Sequence, residues 1–150
     1  MSRSSRVPAG KRVRVQYAAL PYRSSSGSRT EVMLVTSRET RRWIIPKGWP
    51  QKGKAPHRSA AREAFEEAGV VGAVGKRSVG SFAYKKRSKK GRVVACEVHV
   101  FTLKVKGQRK EWPERREREV KWVSAKEAAK KVREPKLSAI IRRLARTSGK

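Results

Sequence analysis

Apolar and polar positions along the chain alternate with two different periods. From Val13 to Ala19 they alternate in twos, as on a half-buried strand. Pro21 and the Ser/Gly-rich stretch 24–28 predict a turn. Glu31 to Thr36 reads as a short apolar strand, 37–41 as a polar turn, and Arg42 to Ile45 as a third strand stopping at Pro46. Segment 47–54 holds Gly48, Pro50 and Gly53, so a loop is expected there. The period then changes. Up to Ala68, alanines, one Phe and charged residues recur at helical spacing. Pro56 suits the first turn of that helix, where its missing N–H costs nothing, and Gly69 stands where the helix should stop.

Beyond Gly69, Val70, Val71, Val74 and Val79 are punctuated by Gly72, Gly75 and Gly80, which predicts strands with kinks or bulges. Residues 81–86 and 92–106 predict a hairpin around Lys89-Lys90-Gly91. Its second arm has Val94, Cys96, Val98, Val100 and Thr102 on one face and Phe101, Leu103 and Val105 on the other, so burial on both sides is expected near its end. Residues 111–119 form a highly charged loop and 120–123 a short strand. Ser124 with Glu127 three residues on has capping-box spacing; the helix it opens should end before Pro135. A final helix over 136–146 carries Leu137, Ile140, Ile141 and Leu144 on one stripe. Strands on either side of a helix, then a helical tail, imply an α/β (α+β) fold: a mixed sheet with helices on its faces. A chain of 150 residues suits one core, so a single domain is expected over 12–146, between a flexible basic arm (1–11) and a short tail (147–150).

Charge changes the picture most. Forty Lys and Arg face twelve acidic residues, a formal charge of +28. This points to a polyanionic partner: nucleic acid, a polyphosphate-bearing small molecule or an anionic surface. A plain solubility role is the bland alternative. No apolar run approaches a membrane span. The first residues lack the apolar core of a signal peptide, and their basic, Ser-rich composition also suits an organellar transit peptide. The lone Cys96 cannot form an internal disulfide and is expected in the core of a protein of a reduced compartment, the cytoplasm. His57 and His99 read as a surface and a structural residue.

Against so basic a background, Glu63, Glu66 and Glu67 are out of character. At about 100° per residue they fall within an arc of about 100°. Ala61, Ala64, Phe65 and Ala68 fall together on a different face, expected to pack. Carboxylates crowded in one helical turn repel by a few tenths of a kcal/mol per exposed pair. A divalent cation would relieve that, because hard cations prefer carboxylate oxygens.

Residues 48–70 resemble the Nudix box, a pattern of Gly, five residues, Glu, seven residues, Arg-Glu, an aliphatic, any residue, Glu-Glu, any residue, Gly, an aliphatic. Gly48, Arg62, Glu63, Glu66, Glu67 and Gly69 occupy fixed positions, with Ala64 and Val70 at the aliphatic ones. Lys54 stands where the pattern has its first Glu. The run Ile45-Pro46-Lys47-Gly48, together with Glu111-Trp112, 116–119 and Trp122, is most similar to the diphosphoinositol polyphosphate phosphohydrolases; Trp49-Pro50 and Lys54 depart from that subfamily.

The resemblance implies a Nudix-type α/β/α sandwich with a mixed β-sheet, the Nudix loop-helix and a C-terminal helix. It implies hydrolysis of a diphosphate with Mg²⁺ or Mn²⁺ held by Glu63, Glu66, Glu67 and the Gly48 carbonyl, with Arg62 orienting the glutamates. On that reading Glu63, Glu66, Glu67 and Arg62 are the catalytic set. Glu114, Glu117 and Glu119 are candidates for general base. Lys47, Arg42, Lys54, Arg116 and Arg118 are candidate substrate contacts, with Arg14 and Arg23 also near a cleft mouth. Lys54 would either weaken metal binding or meet a phosphate. Trp43 and Trp49 could stack a base or simply pack. The implied substrates are diphosphoinositol polyphosphates or dinucleoside polyphosphates. The alternatives are RNA 5′ ends or nucleoside triphosphates, or a catalytically weakened module that binds RNA or another polyanion.

Overall fold

The computed structural model describes residues 13–148 except Ser26, Ser28, Ser88 and Lys89. The arm expected over 1–11 and the last two residues of the expected tail lie outside the described residues. The two longest strands, β1 (Val13–Ser24) and β7 (Val93–Gln108), run parallel through the middle of the sheet, Val13 opposite Ala95 and Tyr22 opposite Lys104. Every other pairing is antiparallel. β2 (Thr30–Thr36) and β4 (Lys47–Gly48) join β1; β3 (Trp43–Ile44) and β8 (Val120–Ser124) join β2; β5 (Val70–Val74) and β6 (Gly80–Arg87) join β7. The sheet is therefore mixed.

Helix α1 (Pro56–Ala68) covers one face, and α2 (Ala125–Lys131) with α3 (Pro135–Ser148) covers the other. A strand covered on both faces must be apolar at consecutive positions. Ala18, Ala19 and Leu20 of β1 satisfy this, all fully buried. Val98 and Val100 of β7 belong to the core under α2 and α3, whereas Phe101 and Leu103 belong to the core under α1. The architecture is an α/β/α sandwich. No helix among the described residues is long and apolar enough to cross a membrane.

The structure departs from the expected elements in four places. Pro21 is not in a turn: β1 runs through it to Ser24, with Pro21 opposite Leu103 of β7, and the ladder to β2 begins one residue later at Tyr22. Lys47 and Gly48 are not loop: they pair with Ala18 and Tyr17 along β1, so the loop begins only at Trp49. Helix α3 starts at Pro135, whose missing N–H is harmless in a first turn, and continues to Ser148. The packing face of α1 is Ala60, Ala64 and Ala68, all fully buried, rather than one including Ala61 and Phe65, which are half-buried. A spacing of four keeps these three nearly in line along the axis, and side chains that small let the helix lie close on the sheet. Elsewhere the local signals hold: Ser124 accepts the Glu127 N–H at 3.1 Å, and the register slips between Val71 and Gly72.

Because the alanine stripe is packed tightly, Ala64→Leu should cost about 1–3 kcal/mol of stability by overpacking, while Ala61→Leu stays close to neutral. Urea unfolding of the two variants checks this; equal losses would mean that the stripe is not the packing face.

Candidate active site

The alanine stripe dictates where the glutamates go. Counting from Ala60 at about 100° per residue, Glu63 and Glu67 lie along one edge of the stripe at about 60° and 20°, while Glu66 lies about 120° away. The first two are thus carried to the sheet surface beside β4. The third points outward, where its Oε2 accepts from Arg62 Nε at 2.8 Å. Glu67 is only 4% exposed. The Glu63 carboxylate lies against Gly48, where a Cβ would collide with it. Gln51 Nε2 donates to Glu63 at 3.2 Å, and Glu67, one turn on, lines the same cleft. Gly69 ends α1 in the left-handed region at φ 74°, with the Trp112 ring where its Cβ would be. The second glycine of the box thereby docks the charged loop, and the Glu114 N–H seals the contact by donating to the Glu66 carbonyl at 2.9 Å.

These groups open into a cleft of about 580 Å³. One wall is acidic: Glu63, Glu67 and Glu114. The remainder is largely cationic, with Arg38 and Arg42 from the β2–β3 connection, where Glu39 adds a further carboxylate to the lining, Lys47 from β4, Lys85, Lys86 and Arg87 from β6, and Arg133 from the α2–α3 junction. Burial raises the proton affinity of Glu63 and pushes that of Glu67 up to about 8, the latter partly offset by Arg118. Burial lowers Lys47 to about 8, opposed by Glu67 and Glu134. Its ammonium lies 4.8 Å from the Tyr84 ring centre, and the Tyr84 hydroxyl donates to Gln16 at 2.6 Å. Burial raises Tyr84 as well.

Not every residue singled out in the sequence meets the cleft. Glu63, Glu67, Gly48, Lys47, Arg42, Glu114 and Arg118 line it; Glu66, Arg62, Lys54, Arg116, Glu117 and Glu119 do not. Lys54 and Arg116 are exposed. Glu117 accepts from Arg38 at 2.9 Å, and the Glu119 N–H donates to the Thr36 hydroxyl at 2.9 Å. Arg42 donates to Glu134 at 3.0 Å. Arg118 is tied to Glu114 at 2.7 Å and to the Thr36 carbonyl at 3.0 Å. Arg23 pairs with Glu31 at 2.9 Å and lies over Trp122, off the cleft. Trp49 lines the cleft with the Arg14 guanidinium 4.5 Å from its ring centre, and Trp43 packs against the core. Among the described residues, no three His, Cys, Asp or Glu side chains are gathered as a ready-made cation cage.

Sequence reasoning missed Arg38, Arg133, Gln51 and the Lys85–Arg87 run. The run looks like any solvated strand edge. Only its pairing with β7, Lys85 opposite Ala95 and Arg87 opposite Val93, brings it to the cleft.

A family model for the NUDIX domain matches residues 15–144, and the chain belongs to the Nudix family. It is 33% identical over 104 residues to the Arabidopsis thaliana protein "Nudix hydrolase 12, mitochondrial", a match covering 67% of this chain and 51% of that one. It is 49% identical over 53 residues to diphosphoinositol polyphosphate phosphohydrolase 3-beta of Bos taurus, covering 35% of this chain and 32% of the relative. The chain spans about half the length of the first curated relatives it matches. In fold it is similar to a C. elegans Ap4A hydrolase in a binary complex, with TM-score 0.65, 19% identity, and coverage of 90% of this chain and 97% of that one.

The buried Glu67 gives a pH-dependent prediction for protein kept free of metal with a chelator. Its folded proton affinity, about 8, lies above its ordinary value of 4.5. As pH rises between those values the unfolded chain releases a proton that the folded one keeps, so Glu67 makes stability fall across the window. Lys47, lowered to about 8, is still charged in both states up to about pH 7 and adds little slope below that. Thermal melts should therefore show wild type losing more Tm than Glu67→Gln between about pH 5 and about pH 7. Parallel slopes would contradict this.

Proposed function

We propose that this protein is a divalent-cation-dependent Nudix hydrolase that cleaves the phosphoanhydride bond of a small, highly phosphorylated molecule, a diphosphoinositol polyphosphate in the first place. The observation that carries this is the division of one cleft into a compact carboxylate wall and a broad cationic surround. A polyanion fits the surround, and the carboxylate wall has a use there only if positive charge joins it.

The donor set fits Mg²⁺ or Mn²⁺. Glu63 and Glu67 are neighbouring hard oxygen donors, the missing side chain of Gly48 lets the Glu63 carboxylate lie against the β4 main chain, and burial of both carboxyls favours a cation partner. Glu63 and Glu67 would hold the ion, with the Gly48 carbonyl as a further oxygen; Glu66 would join by leaving Arg62. When bound, such an ion neutralises charge on the phosphate oxygens and acidifies coordinated water.

The chain's own residues do the rest. Arg38, Lys47, Arg133 and the β6 cations bind and orient the phosphates, holding the scissile phosphorus beside the carboxylate wall. Glu114, which of the three loop carboxylates is the one lining the cleft, takes the proton of the attacking water. The new P–O bond forms as the anhydride P–O bond breaks, and the departing phosphate stays paired to the cationic surround. Gln51 keeps the Glu63 carboxylate in place, and Arg62 holds Glu66 in the absence of the ion. The 49% identity to the bovine phosphohydrolase over 53 residues supports the inositol substrate. Dinucleoside polyphosphates are the second reading, favoured by Trp49 at the cleft; the Arg14 guanidinium against its ring weakens the case for a stacked base. The free, buried Cys96 suits a reducing compartment such as the cytoplasm.

The test is phosphate release in Mg²⁺ from diphosphoinositol pentakisphosphate, diadenosine polyphosphates, nucleoside triphosphates and triphosphorylated RNA, assayed in parallel. Highest kcat/KM is expected on the inositol substrate. Glu67→Gln and Glu63→Gln should each lower kcat on the order of 10²-fold. Wild-type turnover on none of these compounds, or full turnover by Glu67→Gln, would sink the proposal.

A further inference from the structure

The cations at the cleft do not all look alike. Arg118 is the one enclosed by carboxylates, its side chain only 9% exposed. Its Nε donates to Glu114 at 2.7 Å, one terminal nitrogen donates to the Thr36 carbonyl at 3.0 Å, and the other lies 3.8 Å from Glu67 Oε2. Two of the three nitrogens therefore donate to protein oxygens, and the third lies at ion-pair distance from Glu67. A cation meant for substrate phosphate would keep donors turned to the cleft.

We propose that Arg118 is a positioning residue of this site: its guanidinium ties the loop carboxylate Glu114 to the helix carboxylate Glu67 and sets where they stand relative to each other. The inference rests on the hydrolase reading above, in which Glu67 holds the cation and Glu114 takes the proton of the attacking water. These two groups come from different elements, and nothing in either element alone fixes their separation. The main chain brings the elements together coarsely. The Glu114 N–H donates to the Glu66 carbonyl at 2.9 Å, and the Thr36 N–H donates to the Glu119 carbonyl at 3.1 Å. Arg118 sits between these two anchors and completes the arrangement at side-chain level, with Thr36 referring it to the end of β2.

The side chain suits the task. A guanidinium is a rigid planar fork whose donors diverge in fixed directions, whereas a lysine ammonium is a single point on a flexible stem. Three partners on β2, α1 and the loop need the fork. Without it, Glu114 and the buried Glu67 would face each other with no shared cation, and Glu114, the more exposed of the two, would swing away. Such a displacement disturbs the chemical step far more than the binding of a polyanion by the opposite wall.

The experiment compares wild type, Arg118→Lys, Arg118→Met, Glu114→Gln and the Arg118→Met/Glu114→Gln double variant on the best substrate of the panel. Both Arg118 variants should lose about tenfold or more in kcat, with KM changed less than about threefold. The double variant should lose clearly less than the product of the two single losses, because Arg118 acts through Glu114. Arg118→Lys keeps the charge and guards against a folding failure; its thermal melt should stay near that of wild type. A raised KM at unchanged kcat, a near-wild-type Arg118→Lys, or fully multiplicative losses would each overturn the proposal and return Arg118 to direct phosphate binding. Mn²⁺ titration calorimetry without substrate needs no turnover. Arg118→Met should bind Mn²⁺ roughly tenfold more weakly, as expected when a partner that orients a ligand is removed. Unchanged affinity would overturn the proposal, even were wild type inactive on every diphosphate and the hydrolase reading lost.

Discussion

The close packing of three alanines against the sheet is the constraint on which the rest of the site depends. Ala60, Ala64 and Ala68 leave no room between α1 and the strands. Helical geometry then places Glu63 and Glu67 at the sheet surface and leaves Glu66 in the outer row. Larger side chains in the stripe would lift the helix, and the carboxylates would face solvent instead of Gly48. Gly69 acts at the other end of the helix. Its left-handed turn admits Trp112, which seats the charged loop and brings Glu114 to the cleft.

Burying two carboxylates in a chain of net charge +28 is less costly than it would be in a neutral one, because cations surround them. Even so, Glu67 is desolvated enough that burial outweighs the attraction of Arg118 and Lys47, and its proton affinity rises. Lys47 is held in the opposite sense by the same burial. The pair is therefore poised around charge that a polyphosphate and its cation would supply. On the proposed function, this accounts for the acidic wall and the cationic surround occurring in one cleft. Separately, each would be a patch of like charge, and together they match a cation–polyphosphate complex in both signs.

Much of the frame was legible locally. Alternation in twos marked β1 and β7, and a short apolar run marked β2. The change to helical spacing marked α1, Ser124 marked the start of α2, and Pro135 the break before α3. The cluster Glu63, Glu66 and Glu67 could be read from helical spacing, because a helix repeats its faces regardless of what lies against it, whereas Gly48 entered through the resemblance to the Nudix box. Which face would pack was not legible. Ala60/Ala64/Ala68 and Ala61/Ala64/Phe65/Ala68 are both apolar stripes, and only the sheet decides between them. Glu114, Glu117 and Glu119 were likewise indistinguishable along the chain. The anchoring of their loop turns one into the cleft and gives another to Arg38.

The sequence by itself determined the period of each element, the glycines at the two ends of the box and the carboxylates between them, since these depend on backbone geometry within a few residues. The tertiary structure alone decided which cations face the carboxylates. Lys85 to Arg87 reach the cleft through pairing with β7, Arg133 through the junction of two helices on the opposite face, and Arg118 is taken out of the cationic surround by Glu114, Thr36 and Glu67. The physical reason is range. A turn or a helical face is set by neighbours in the chain, but the environment of a charge is set by residues brought close in space, and the spacing of cations along this chain carries no record of that.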